Sequence, residues 1–381
     1  MLINLFWLFF LLVAYTYLLY PLILWLLTAG KTTPRYAAPK EWPSVSLIIT
    51  AYNEAAVIKE KIENSLSLDY PQDKLEIIVV SDCSDDGTDE IIDAYTARGV
   101  QTCRQQQRSG KTLAQNAATA RATGEILVFS DANSIYGPQA IKILVEPFAD
   151  ASIGCVCGEL RYVNPDAGGA GKGEGVYWRY EQFLKRRESL QRSLVGANGS
   201  IYALRSPLFE PLGADIISDF IMPIRIYRKG YAVIYAPDAM ATEDSAGSFS
   251  DEFRRRTRII ARSLNGLCNE LGALNPFAHG LFAFQLFSHK VLRWLVPFFM
   301  FGAFVTNGFL LEHPVYRIIF LLQSVFYLLA VLGNLVPGVL GRLGVFYVPA
   351  YFCAINFGAF LGWWRFLRGS RFAVWQPLER S

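Results

Sequence analysis

Acidic and hydroxyl-bearing residues gather at three places, each following a short apolar run. Thr50-Ala51-Tyr52-Asn53-Glu54 follows 45–49, Ser81-Asp82-Cys83-Ser84-Asp85-Asp86-Gly87-Thr88 follows 75–80, and Ser130-Asp131-Ala132-Asn133-Ser134 follows 126–129. Any one of them reads as an ordinary strand-to-helix turn, since Asp, Ser and Asn close turns and cap helices. Three on one sheet edge make a carboxylate-rich pocket. Further along stand Asp219, the run Thr242-Glu243-Asp244 and the basic stretch 251–258. Gly110-Lys111-Thr112 lacks the earlier glycine of a phosphate-binding P-loop. Lys111 is placed to meet a phosphate or the Asp82 cluster, with a plain surface lysine as the rival reading.

The elements that would hold these residues alternate. Strands are expected at 45–50, 75–80 and 126–130, nearly continuous in apolar residues, as parallel strands covered on both faces should be. Helices are expected at 54–68, with Ala56, Ile58, Ile62 and Leu66 inward, at 89–97 and at 113–122. This order gives an α/β domain with a parallel sheet, whose ligands bind at the carboxyl ends of the strands.

Composition adds a second environment. Of 381 residues, 52% are hydrophobic and only 18% charged, against about 25% charged in ordinary soluble domains. A formal net charge of +3 without a basic tail excludes nucleic acid as the partner. The run 2–27 carries no charge and at ~1.5 Å per residue exceeds the ~30 Å hydrocarbon core, so it is expected to be an uncleaved anchor. Lys31, Arg35 and Lys40 then mark a cytoplasmic linker. The expected organisation is an anchor over 1–30, a Pro-rich basic linker over 31–43 and an aqueous domain over 44–270. An interfacial helix over 276–293 carries its basic end at the headgroups, about three spans fill 294–368, and a tail occupies 369–381. Arg365, Arg368, Arg371 and Arg380 favour a cytoplasmic C-terminus, whereas three spans after a cytoplasmic domain put it outside, unless one segment is re-entrant or 277–293 also spans. The spans are expected to hold no internal ionisable pairs, which argues against a transporter. The six cysteines share no repeated spacing and read as buried thiols in a reducing compartment.

The order Ala51-Tyr52-Asn53-Glu54, Val79-Val80-Ser81-Asp82-Cys83-Ser84-Asp85-Asp86-Gly87-Thr88, Gly110-Lys111 and Asp131-Ala132-Asn133 resembles the family 2 inverting glycosyltransferases, including cellulose- and hyaluronan-synthase-like membrane enzymes. The resemblance runs through 44–270. It implies the GT-A fold, a Rossmann-like nucleotide-diphospho-sugar transferase domain, here with N-terminal and C-terminal transmembrane helices. The implied donor is a nucleotide sugar, with a UDP-sugar favoured, and the implied cofactor is Mg2+ or Mn2+. Hard oxygen ligands suit these ions, which keep several waters. Where the family has Asp-x-Asp, this chain has Asp131 and Asn133, expected to alternate on one side of an extended segment and hold the metal. Asp82 and Glu54 would shape the floor under the base and ribose, while Asp85 and Asp86 cap the helix near Thr88. Gly196-Ala197-Asn198-Gly199-Ser200 resembles the acceptor-side loop, with Asn198 and Gly199 near the sugar.

Inverting transfer uses one base to take the acceptor proton, with no covalent intermediate. Thr242-Glu243-Asp244 spells the synthase motif literally, but too few positions separate it from Arg255 for the helix and strand that the family places between them. Asp219, opening 220–227 and followed by Gly230-Tyr231, fits that place, so Asp219 is the expected base and Glu243 is expected in a loop over the acceptor. Arg255 and Arg258 would hold the departing diphosphate, or lie with the rest of a basic helix on anionic lipid heads. Arg258 matches the arginine of the processive Gln-x-x-Arg-Trp motif, whereas Arg255 and Ile259 replace its Gln and Trp. Trp178, Tyr177 and Tyr180 either stack on sugar or pack.

The function expected from the resemblance is metal-dependent hexosyl transfer by single displacement to a lipid-linked or polysaccharide acceptor. The catalytic domain would face the cytoplasm at a bacterial membrane. Competing readings are a nucleotidyl or phosphoryl transferase on a similar fold, which would tolerate loss of Asp219, and a non-catalytic sugar-binding scaffold, which would release no nucleotide.

Overall fold

The computed structural model describes residues 1–163, 169–244, 249–335 and 343–369. In chain order it contains α1 (Leu2–Ala14), α2 (Tyr20–Leu27), β1 (Val45–Ala51), α3 (Ile58–Leu66), β2 (Leu75–Ser81), α4 (Thr88–Asp93) and β3 (Val100–Arg104). Next come α5 (Lys111–Thr119), β4 (Ile126–Asp131), β5 (Ile135–Tyr136), α6 (Ala140–Val145), β6 (Ile153–Val163), α7 (Gly169–Ser189) and β7 (Ile201–Arg205). The remainder is α8 (Ser218–Arg228), β8 (Ala232–Asp244), α9 (Phe249–Asn269), α10 (Pro276–Leu286), α11 (Leu292–Gly308), α12 (Pro314–Leu335) and α13 (Gly344–Leu367).

One sheet runs β3-β2-β1-β4-β7-β6-β8-β5. β3, β2, β1 and β4 are parallel, and every residue of β1 is buried because apolar clusters cover both faces. Register levels the strand ends: Ala51 lies opposite Ser81 and Thr50 opposite Asp131. β7 then runs antiparallel to β4, with Ile201 opposite Ser130, so the chain entering β7 passes beside the end of β4. β8 ends against β5, with Thr242 opposite Ile135, just beyond the same β4 turn. Reversal at β7 is what brings the second half of the domain to the pocket.

Several expectations are corrected. The helix expected from position 54 starts at Ile58, with Glu54 O accepting from Val57 N (3.0 Å) and Ile58 N (2.9 Å) in a turn that leaves Ala56 exposed. β3 has no continuous apolar signal because it is an edge strand with alternating burial. Cys103, Cys155 and Cys157 are buried, but Cys83 and Cys268 are exposed.

Among the described residues, four helical courses are long and apolar enough to cross a membrane: Leu2–Leu27, Pro276–Gly308, Pro314–Gly333 and Gly344–Leu367. The second absorbs the segment expected to be a separate interfacial helix. It bends at Gly280 (φ 49°, ψ −120°) and contains a π turn at Phe287–Val291. Its polar residues do not point to headgroups: His289 and Arg293 are buried and paired with Glu181 and Glu188 of α7. Ionisable pairs inside this course replace the expected absence of any. Arg371 and Arg380 lie outside the described residues.

The amphipathic α9 crosses α13 at small residues. A Cβ on Gly362 would stand 2.7 Å from Cγ2 of Ile260 and 3.3 Å from Thr257 O, and one on Gly358 3.6 Å from the Phe253 ring. Overpacking such a crossing costs about 1–3 kcal/mol. Gly362→Val is expected to lower the thermal unfolding midpoint in detergent, whereas Gly344→Ala, at the other end of α13 where a Cβ meets nothing closer than 3.8 Å, leaves it nearly unchanged.

Candidate functional site

The pocket floor is tied together before any ligand-facing group is considered. At the end of β2, Asp82 is fully buried, and its two carboxylate oxygens accept Ser109 N (2.7 Å) and Gly110 N (2.8 Å). Gly110 takes φ 92°, a left-handed conformation suited to glycine, and launches α5 with Lys111 at its first position. Burial pushes the Asp82 carboxyl above its ordinary range against these two bonds. Lys111 does not meet Asp82, as one expectation had it. Asp82 instead aims the backbone that delivers Lys111.

The turns after β1 and β2 are cross-linked. Asn53 Nδ2 donates to Asp85 Oδ1 (2.7 Å), Asn53 Oδ1 accepts Asp85 N (3.0 Å), and Glu54 N donates to Thr88 Oγ1 (2.9 Å). Asp86 caps α4 as expected, accepting Thr88 N (3.1 Å), while Asp85 bonds across to Asn53.

Asp131 ends β4 half-exposed. Its Oδ1 pairs with Lys111 Nζ and its Oδ2 accepts Ser200 Oγ (3.2 Å). The segment after it is a turn rather than extended, closed by Ser134 N to Asp131 O (3.3 Å), with Asn133 half-buried on it. Lys111 Nζ also donates to Gly199 O (3.3 Å). Asp219, in the first turn of α8, reaches the same spot: a Cβ on Gly199 would stand 3.1 Å from Asp219 Oδ2 and 3.3 Å from Lys111 Nζ. Glycine at 199 is what lets the carboxylate and ammonium close over the loop. The Asp219 backbone is fixed by Ala197 N donating to its carbonyl (2.8 Å). Burial raises the Asp219 carboxyl above its ordinary range; Lys111 and Lys185 pull it down, and Asp131 pushes it up.

Glu243 is not in a loop over the pocket. It lies on β8, buried, accepting the Ser134 and Ser200 hydroxyls, so Ser200 stands between it and Asp131. Burial and Asp131 raise its carboxyl, opposed by the two hydroxyls and Arg255. Asn198 is buried and fully engaged: Oδ1 accepts Lys185 Nζ, Nδ2 donates to Gly158 O (2.6 Å), and its amide donates to Cys157 Sγ (3.1 Å).

A row of cations lies along α9. Arg255 Nη1 donates to Tyr162 OH (3.1 Å), and Arg258 follows one turn later, its pKa lowered by burial and by Arg255. Arg262, one turn further, donates to Thr112 Oγ1 (2.9 Å), Ala214 O (3.0 Å) and Ile216 O (2.6 Å). Burial and Arg258 push it down to about 10. Trp178 packs, its Nε1 donating to Leu160 O (2.7 Å) and its edge meeting the Tyr162 ring. Tyr177 and Tyr180 lie against Arg293, with Arg256 over Tyr177.

Comparison with known proteins decides the family. The model for "Glycosyl transferase family group 2" matches residues 171–366, more than half the chain, and that for "Glycosyl transferase family 2" matches 46–213. The chain belongs to the family 2 glycosyltransferases. Among curated relatives, the probable glycosyltransferase YdaM of Bacillus subtilis is 26% identical over 296 residues, 71% of this chain and 66% of that protein. Glycosyltransferase AglE of Haloferax volcanii is 26% identical over 226 residues, 57% of this chain and 72% of its own length. The chain thus spans just under two thirds of the first relative. A solved structure of the mannosyltransferase PcManGT from Pyrobaculum calidifontis, in complex with GDP-Man and Mn2+, shares the fold. Its TM-score is 0.71 at 21% identity, over 94% of this chain and 99% of that one.

Within this glycosyltransferase, three groups beside the pocket escape sequence reasoning. Lys61 is fully buried under the Asp131 turn, donating to Ser134 O (2.5 Å) and standing 3.8 Å from the centre of the Tyr136 ring. Burial pushes it down to about 7, against Asp131 and Glu243. Its signal was present: position 61 shares the helical stripe of Ile58, Ile62 and Ser65. Lys185 and Arg262 have no comparable signal. Asp131 supplies one half-exposed carboxylate to the site, enough for a divalent ion that keeps most of its waters.

Asp82→Ala would strand two buried amides, each worth about 1–3 kcal/mol. Denaturant unfolding is expected to show that loss, and Asp82→Asn, which can still accept one bond, should recover part of it.

Proposed function

We propose that this chain is an inverting glycosyltransferase that moves a sugar from a nucleotide-diphosphate donor to a lipid-linked or polysaccharide acceptor at a membrane. The observation that carries this is the meeting of Asp219, Lys111 and Asp131 around Gly199, at the carboxyl end of a sheet that the family 2 enzymes use. Asp219 is the base. Its half-buried carboxyl, raised by burial, takes the proton of the acceptor hydroxyl as that oxygen attacks the anomeric carbon.

Asp131, with Asn133 on the same turn, would hold Mg2+ or Mn2+, and the ion's role is to neutralise diphosphate charge. PcManGT, which shares the fold, was solved with Mn2+ and GDP-Man; we favour a UDP-sugar for this chain. Lys111, paired with Asp131, would pass to a phosphate oxygen when the donor binds. Arg255 and Arg258 meet the departing diphosphate from α9, while Glu54 and Asp82 shape the floor beneath the nucleoside. Asn198 and Gly199 border the acceptor, and Glu243 stiffens the Asp131 turn through Ser134 and Ser200 rather than covering the acceptor. The catalytic domain lies on the cytoplasmic side, on the strength of Lys31, Arg35 and Lys40 after the first apolar helix.

The deciding experiment incubates purified protein, Mn2+ and a panel of labelled nucleotide sugars with a membrane lipid extract. Asp219→Asn is expected to lower transfer by about 10²–10⁴-fold and to leave nucleoside diphosphate affinity unchanged. Full turnover in that variant would instead support phosphoryl transfer.

The base must be ionised, so activity falls as pH drops through the raised pKa of Asp219. Lys111 is the largest influence that lowers it. Lys111→Met should therefore move the acid limb of the kcat profile to higher pH, as well as reducing donor affinity.

A further inference from the structure

Behind the acceptor side stands a buried polar cluster that the transfer chemistry does not use. Glu181, Lys185 and Glu188 share one face of α7. Lys185 turns to Asn198, and the two glutamates turn to the bent helix Pro276–Gly308. Carboxylate oxygens face both ring nitrogens of His289: Glu188 Oε1 at 2.6 Å from Nδ1 and Glu181 Oε2 at 3.2 Å from Nε2. Arg293 pairs with Glu181, and Tyr20 OH donates to Glu188 Oε1 (2.8 Å). Glu188 and His289 are almost wholly excluded from solvent.

From this cluster a series of bonds leads into the pocket. Val195 N donates to Glu188 Oε2 (3.4 Å), and Ser193 Oγ donates to Gln285 Oε1 (2.5 Å). Lys290, next to His289 on the π turn, lies against Gly196, its Cε 4.0 Å from a Cβ built there. One residue on, Ala197 N donates to the carbonyl of Asp219, and Gly199 O accepts from Lys111. Segment 193–199 is therefore pinned at its rear to the helix and at its front to the proposed base.

We propose that Gln285 and His289 are positioning residues: acting through Ser193 and Glu188, they make the bent apolar helix the rear wall of the acceptor side and set the place of Asp219. The π turn serves this end, since its extra residue swings His289 and Lys290 toward α7 without breaking the helix. The inference rests on Asp219 being the base, but the tether can be read independently of activity.

The test compares full-length protein in lipid nanodiscs with His289→Gln and with the milder Ser193→Ala, which removes one loop bond should the first fail to fold. Amide hydrogen exchange over 193–199 is expected to quicken by about tenfold in His289→Gln and less in Ser193→Ala, with β1, β2 and β4 unchanged. Affinity for UDP and GDP with Mn2+ should stay within about twofold, while transfer kcat falls by about tenfold. Unchanged exchange over 193–199 in both variants overturns the proposal, as does donor affinity falling in step with kcat. Turnover surviving in Asp219→Asn would remove the base reading alone, leaving the exchange result to decide the tether.

Discussion

Asp131 stands between two carboxylates from distant elements, Asp219 on one side and the buried Glu243 on the other, and like charges do not gather there unaided. Asp131 arrives on β4, Glu243 on β8 and Asp219 on α8. Lys111 is the cation that makes the gathering tolerable, pairing with Asp131 and lying beside Asp219. Its own position is dictated by Asp82, whose buried carboxylate clasps the two amides just before it. The floor of the pocket is thus built from charge-assisted hydrogen bonds, which are stronger than neutral ones and fix direction as well as distance. Small residues complete the arrangement: Gly110 supplies the left-handed turn, and Gly199 leaves room for an ammonium and a carboxylate at its Cα.

Much of this was legible in the sequence for a simple reason. Parallel strands buried on both faces write themselves as unbroken apolar runs, and their carboxyl ends must turn in polar residues. Asp82 and Asp131 could therefore be placed on one edge before any coordinates. Asp219 is preferred over Glu243 because the family resemblance puts a helix and a strand between that motif and the arginines, and only Asp219 leaves room for both. What stayed hidden depends on contacts between remote segments. Glu243 looked like loop because nothing local shows that β8 runs as far as Asp244 beside β6 and β5. Asp131 to Asn133 looked extended, yet a turn forms when Ser134 bonds back to Asp131. Lys61 is the instructive miss: a lysine on the buried stripe of a short helix is visible by periodicity, but its partner is a carbonyl 73 positions away.

The apolar helices teach a related lesson. Segment 276–293 looked too polar to be part of a crossing helix when its charges were counted alone. Two of those charged or titratable groups have partners on α7, so the cost of burying them falls once the domain is in place. Hydropathy sees a side chain without its counter-ion, whereas the fold supplies one.

The crossing of α9 over α13 links the pocket to its surroundings in a further way. Gly358 and Gly362 let the two helices touch backbone to side chain, and the same α9 carries Arg255 and Arg258. Helices accommodate mismatch with hydrocarbon thickness by tilting. A tilt of α13 would therefore be transmitted through that glycine contact to the α9 backbone that carries the two arginines.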